Sequence, residues 1–388
     1  MHVIVRDNAG VVTEALYDTG VESVGCLADA LQMSVNDGLR SQPALNDAVA
    51  LCRKIANNFR YSTLAGDDRP APEIRLTDSD RIPQDGSHRI LQDGPHWIPQ
   101  DVRTGWNWTF CTIRRLVERK KAVMACLLER GLVATLSDHQ WQLLEKLMTV
   151  LQPLEETMCQ MSSGDATLSD VIPVVTALRL VLERQDVSDP DVQTTKCSLL
   201  TDVRKGFTVI CERPVFVVAT AVDPRYRLRF FDDALRRRAA ELVAAELRAT
   251  PAEHQDSRST SPPATKRPCT TEPAAAAGTL SGVMREIVSR GVPTLGSANV
   301  SNDPVEDEVQ LFLAQPNIGL CESATSWWRE NAHLYPRLAV VARRFLSAPA
   351  TSVPVQQLFS ADGILQHDRP LSDGEDLLLF IKHNIKFE

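Results

Sequence analysis

Residues 327–360 read WWRENAHLYPRLAVVARRFLSAPATSVPVQQLFS. Pro336 can open a helix, because its missing N–H falls among the donors that a helix start leaves unpaired. From there Leu338, Val341, Ala342, Phe345 and Leu346 recur at three- and four-residue spacing and form one apolar stripe. Pro349 then stops the helix. Just upstream, Ser323 starts a short helix that carries Trp327 and Trp328. Just downstream, a further helix entrance carries two neutral glutamines, Gln356 and Gln357, followed by Phe359. The last helix is announced by the capping box Ser372-Asp-Gly-Glu375 and presents Leu377, Leu378, Ile381 and Ile385 on one side, with Phe380 broadening that face. The stretch therefore belongs to a helical C-terminal module, assigned to residues 281–388.

Moving outward, residues 249–278 read ATPAEHQDSRSTSPPATKRPCTTEPAAAAG, with five prolines and few large apolar side chains. Such a composition reads as a flexible linker over 249–280. Before it, residues 110–248 follow helical periods. Leu116, Val117, Val123 and Leu127 fall on one face of a first helix, and Trp141, Leu144, Leu147, Met148 and Leu151 repeat in the next, which Ser137 can cap. Further helices are expected over 168–184, 191–206 and 232–248. The last of these holds Arg236-Arg237-Arg238, but Asp232, Asp233, Glu241 and Glu246 surround them, which describes a solvated face rather than a phosphate grip.

The chain opens differently. Val3, Ile4 and Val5 favour a strand, Asp7 to Gly10 a turn, Val11 to Tyr17 a helix and Val21 to Cys26 a second strand, which together make a parallel α/β unit. Helices over 27–39 and 45–59 follow, the second eased in by Pro43. Residues 82–105 hold three degenerate copies of an eight-residue repeat, IPQDGSHR, ILQDGPHW and IPQDVRTG. So short a Pro/Gly-rich period buries no core face and reads as an expanded surface loop, in which His88 and His96 lack the further ligands that a metal needs.

Composition narrows the function classes. At 388 residues, 43% hydrophobic and 24% charged, the chain can bury a core, and its longest apolar runs, such as Val215 to Ala219, are far short of the ~20 residues of a membrane span. Nine cysteines show neither a CxxC pair nor a zinc-ligand spacing. A net charge of −8 argues against a broad duplex-binding surface.

Several stretches jointly resemble one family, the hAT-type DNA transposases and the BED-type zinc-finger proteins descended from them. Besides 327–360 and the final helix, VRDNAG (5–10), GCLADALQMSVNDGL (25–39), TGWNWT (104–109) and ATAVDPRYRLRFF (219–231) are similar to family motifs and occur in the family's order. The resemblance implies an α/β fold with a large all-α insertion: a partial RNase H-like core over 1–109, lacking its first strands, interrupted by helices over roughly 110–285, and mostly helical overall. In active relatives two aspartates and a glutamate hold two divalent metal ions for DNA strand transfer. Here Asp7 matches the second aspartate, and the glutamate position is Gln356, a neutral amide that cannot offset metal charge. No metal, no cofactor and no catalysis are expected.

What the resemblance leaves is the C-terminal dimerisation module, with Trp327, Trp328, Leu338, Val341, Phe345, Leu346, Phe359, Leu377, Leu378, Phe380 and Ile381 as candidate interface residues. The expected partner is a second copy or a related hAT-type protein, and the expected location is the nucleus, with no membrane contact. DNA contact is expected to be weak, or to run through an N-terminal BED finger that the resemblance places upstream. The alternatives are a DNA-binding transcriptional regulator as part of a longer product, and a residual metal-dependent transposase or nuclease.

Overall fold

The computed structural model describes residues 3–6, 21–64, 106–129, 136–187, 189–250, 278–290 and 303–352. Strands β1 (Val3–Arg6) and β2 (Glu22–Gly25) pair in parallel, with Val3 opposite Glu22 and Val5 opposite Val24. Parallel pairing requires a crossover between the two strands, and the helix expected at 11–17 lies outside the described residues. Arg213 ties the pair to the helices, donating to the Ser23 carbonyl at 2.9 Å and to the Glu22 carboxylate at 3.1 Å.

Helices make up the rest: α1 (Leu27–Arg40), α2 (Pro43–Leu64), α3 (Trp106–Glu118), α4 (Lys120–Glu129), α5 (Asp138–Met161), α6 (Leu168–Arg184), α7 (Pro190–Glu212), α8 (Pro214–Val222), α9 (Asp233–Ala249), α10 (Leu280–Ser289), α11 (Pro304–Leu313), α12 (Ala324–Asn331) and α13 (Pro336–Leu346). The stripe expected on one helix through Leu116 and Leu127 is divided between α3 and α4, which part at Arg119, although Leu116, Val123 and Leu127 all remain buried. Ser137 closes the expected cap: its hydroxyl accepts from the Gln140 N–H at 3.2 Å while its own N–H donates to Gln140 Oε1 at 3.0 Å.

Three helices went unread in the sequence. In α8 every residue from Val215 to Val222 is buried, so no polar face marks a period. Helices α10 and α11 have ten residues each and flank Pro-rich or polar sequence, yet Leu280, Val283, Met284 and Ile287 of α10 do recur at helical spacing behind the Thr279 cap.

The core is centred on α6, which packs against α5, α7, α8, α10 and α13. Helices on both sides of the 251–277 segment thus contribute to one hydrophobic cluster. Two prolines sit inside the central helices, and each removes one ladder hydrogen bond. The structure answers both. Pro153 cannot serve the Thr149 carbonyl, which instead accepts from Gln185 Nε2 at 2.9 Å. Pro173 cannot serve the Ser169 carbonyl, which accepts from the Thr220 hydroxyl of α8 at 3.1 Å. Replacing the fully buried Thr220 with the near-isosteric valine should leave that carbonyl unpaired and cost about 1–3 kcal/mol in a urea melt; a change within about 0.5 kcal/mol, the usual scale of neutral substitutions, would contradict the assignment.

On the surface, Arg184 and Arg290 both donate to Glu286, at 2.7 Å each for their shortest contacts, and hold its carboxyl down to about 2. A depressed carboxyl contributes stability above its ordinary range and loses it as pH falls toward the folded value. An NMR titration should therefore place Glu286 near 2, and Arg184→Ala should lift the midpoint toward the ordinary value of roughly 4.

Candidate association module

The C-terminal helices are held to the body by the turn that follows α8. Because α8 is buried from Val215 to Val222, the polar residues that follow it enter the protein interior. Asp223 is fully buried and Asp170, in the first turn of α6, nearly so. Both carboxylates converge on Arg225, whose Nη2 lies 2.7 Å from Asp223 Oδ2 and 3.0 Å from Asp170 Oδ1. Ser169 donates to Asp223 Oδ2 at 2.6 Å, Tyr226 donates to Asp170 Oδ1 at 2.5 Å, and the Thr167 N–H donates to Asp170 Oδ2 at 2.8 Å. Burial pushes the Asp170 carboxyl upward, with Arg225 opposing it. For Arg225 burial pulls the other way, and the Asp223 and Asp170 charges outweigh it and leave the guanidinium more firmly protonated.

The same turn reaches toward the C-terminal helices. The Val222 carbonyl accepts from the Trp328 indole at 3.0 Å, the Pro224 carbonyl from the Ile318 N–H at 3.1 Å, and the Arg225 and Tyr226 carbonyls from Asn317 Nδ2 at 2.8 and 3.0 Å. Arg227 points its guanidinium at the carbonyls of Gln315 and Pro316 and lies over the rings of Phe312 and Trp327, 4.7 and 5.6 Å from their centroids. Around it the aromatics pack on one another: Phe312 stacks on Trp328 at 5.1 Å, and Trp327 stacks on Tyr335 at 6.1 Å and meets Trp328 edge to face at 5.0 Å. Glu308 of α11 caps α13 by accepting from the N–H groups of Arg337 and Leu338. Beyond α13 the chain returns to α6: Leu168 N–H donates to the Ala348 carbonyl, Ala350 N–H to the Ala166 carbonyl, and the buried Thr351 hydroxyl to the Met161 carbonyl.

This anchored segment opens a region with a known counterpart. Residues 308–384 match the hAT family C-terminal dimerisation region. The chain therefore carries a segment similar to the dimerisation region of hAT-type proteins. It is similar to the human zinc finger BED domain-containing protein 4, 24% identical across 99% of this chain and 31% of that protein. It is also similar to the human zinc finger BED domain-containing protein 6, 22% identical across 99% of this chain and 40% of that protein. The chain thus spans about a third of the first relative's length and two fifths of the second's. A shorter stretch, 17% of the chain, is 32% identical to the hobo transposase of Drosophila melanogaster and covers 10% of it.

Within the hAT dimerisation region, the candidate residues divide by exposure. Trp328, Leu338, Val341, Phe345 and Leu346 are buried in this chain's own core, where α13 packs on α6, α8 and α9. Trp327 is half-buried. Phe359, Leu377, Leu378, Phe380, Ile381, Gln356 and Asp7 lie outside the described residues. The large apolar side chains that α11 and the α12–α13 turn leave exposed are Leu311 and Leu334, at 55% and 53%. Neither was singled out in the sequence, since each falls off an apolar stripe and only the fold shows that the described residues leave it exposed. The turn residues were legible only as part of the stretch 219–231; a charged quartet directly behind a helix with no charged residue is the signal that marks them as an interior network.

Among the described residues, no helix is long and apolar enough to cross a membrane, and no group of three or more His, Cys, Asp or Glu side chains is placed to hold a metal ion.

Proposed function

We propose that this chain is a non-catalytic, transposase-derived nuclear protein whose retained activity is self-association through residues 308–384, with a second copy or a related hAT-type protein as partner. The observation that carries the reading is the match of that region to a dimerisation region, supported by the way its described half is fixed to the helical body. A fixed surface loses less conformational freedom on binding than a mobile one.

The buried stripe of α13 and Trp328 serves in this reading to seat the module, because side chains already covered by their own chain cannot gain further burial. The partner surface is formed by Trp327, Leu311 and Leu334, together with Phe359, Leu377, Leu378, Phe380 and Ile381 of the downstream half. The parallel β1–β2 pair, followed directly by α1, supports reading residues 1–109 as part of an RNase H-like core interrupted by the helical insertion, with 249–280 as linker and 281–388 as C-terminal module. Absence of catalysis follows from Gln356 at the position of the family's glutamate: Asp7 alone supplies no pair of anionic ligands for two metal ions. In this reading any DNA contact is weak or runs through a BED zinc finger, the domain that the longer relatives' names print.

The double substitution Leu311→Asp, Leu334→Asp tests the reading. Both side chains are exposed, so folding should be unchanged within about 0.5 kcal/mol. In a two-fold dimer each change occurs twice and would bury unpaired carboxylates. Light scattering on the full chain should show the dimer of the unsubstituted protein converted to monomer at micromolar concentration. A folded variant that keeps the dimer mass would remove these two side chains from the interface.

A further inference from the structure

Arg227 is the one described residue other than glycine with a positive φ, 45°. Left-handed backbone is unfavourable for a residue with a β-carbon and persists where the surroundings over-determine it. Its side chain is equally unusual. It is 2% exposed, its Nε has no hydrogen-bond partner, and it forms no ion pair among the described residues. Two positions earlier, Arg225 has two carboxylates, whereas Arg227 is held by the carbonyls of Gln315 and Pro316 and by two aromatic faces. Those carbonyls follow the last turn of α11, where the helix dipole also favours a cation.

We infer that Arg227 is the pin that fixes the orientation of the association region on the helical body. A planar guanidinium that faces two adjoining rings while one of its nitrogens serves two carbonyls fits one orientation of α11 relative to the turn. An ordinary apolar contact would tolerate sliding, and exposed ion pairs such as Arg248 with Asp303 and Glu306, or Arg344 with Glu246, are weakened by salt. With this backbone the side chain of residue 227 contacts Phe312 and Trp327, whereas Asp170 and Asp223 receive Arg225. The turn thus has two arms: Arg225 engages α6, beside the point where residues 348–351 return, and Arg227 engages α11 and α12. Both ends of the described module are thereby referenced to the same five residues, 223–227. Arg227 touches no partner in this arrangement; it acts through the rings that it holds. That it serves association rests on the function proposed above; that it docks the module does not.

Hydrogen exchange by mass spectrometry on the full chain separates the two halves of the inference. For Arg227→Met, amides of α11, α12 and α13 should exchange at least tenfold faster while those of α5 and α6 keep their protection. Arg227→Gly, which accepts the positive φ without strain, should show the same selective release. Leu147→Ala, in the core face of α5, should instead raise exchange in all of these helices together. With the module released, self-association measured by sedimentation should weaken at least tenfold in both Arg227 variants, and in Leu147→Ala it should stay within about twofold. Exchange that rises uniformly in Arg227→Met, or does not rise, would overturn the docking role. Protection kept in Arg227→Gly would show that the guanidinium is not the pin. Selective release with unchanged association would overturn the functional half. Should the unsubstituted chain be monomeric, the proposed function fails, and the exchange pattern alone decides whether Arg227 docks the module.

Discussion

Replacing Arg225 with methionine is expected to destabilise the helical body by about 3–5 kcal/mol, the usual cost of removing one partner from a buried charge network. Asp223 and Asp170 would be left facing each other in the interior, their hydrogen bonds from Ser169 and Tyr226 intact but their shared cation gone. The effect carries a pH signature. Burial already pushes the Asp170 carboxyl upward while Arg225 holds it back; without Arg225 the rise is larger. A carboxyl whose folded pKa is raised favours the folded state as it gains its proton, so the variant recovers stability as pH falls through that raised value and is worst above it. Urea melts at pH 8 and pH 5 should show the larger deficit at pH 8. An equal deficit at both would mean that the two carboxylates do not share Arg225 in the folded protein.

Trp328→Ala is expected to cost about 3–5 kcal/mol, the range for truncating a large buried aromatic. Its ring packs against both Phe312 and Trp327, and its indole N–H serves the last carbonyl of α8, that of Val222. Trp327 is the internal comparison. Half-buried and adjacent in sequence, it should cost less than half as much in the same melt, and in the proposed reading it should weaken association more than it weakens folding. Were the two tryptophans equivalent in stability, the assignment of one to the core and the other to the surface would be wrong.

The contrast between these neighbours shows how far the sequence could be read. The stripe Leu338, Val341, Ala342, Phe345, Leu346 specified α13 because its period is helical and its boundaries are prolines. Likewise Thr167 and Asp170, which close a capping box, start α6 at the expected residue. A stripe tells which side of a helix is covered and not what covers it. The sequence therefore left open whether α13 faces its own chain or a second one, and the structure places its stripe on α6, α8 and α9. Helix α8 escaped for the complementary reason: a helix buried all round has no period to detect. The polar network was hidden differently. Asp170 and Asp223 lie 53 positions apart, and nothing in local spacing says that one arginine will serve both. Charge patterns mark solvated faces well, as in the run Arg236 to Arg238, where Arg236 pairs with Asp233 and Arg237 and Arg238 are exposed. They mark interior pairs poorly, because burial of a charge depends on partners that only the fold brings together.

These features describe a helical body to which the opening half of a region similar to the hAT dimerisation region is fastened by hydrogen bonds and ring contacts. The most direct test of what that arrangement is for is the mass of the full chain by sedimentation equilibrium from about 0.1 to 50 µM, a range that brackets ordinary protein association. Self-association predicts a concentration-dependent approach to twice the 42.9 kDa of one chain. A folded protein that stays at 42.9 kDa throughout would contradict it, and would mean that the aromatic cluster and the α13 stripe serve only to close this chain's own core.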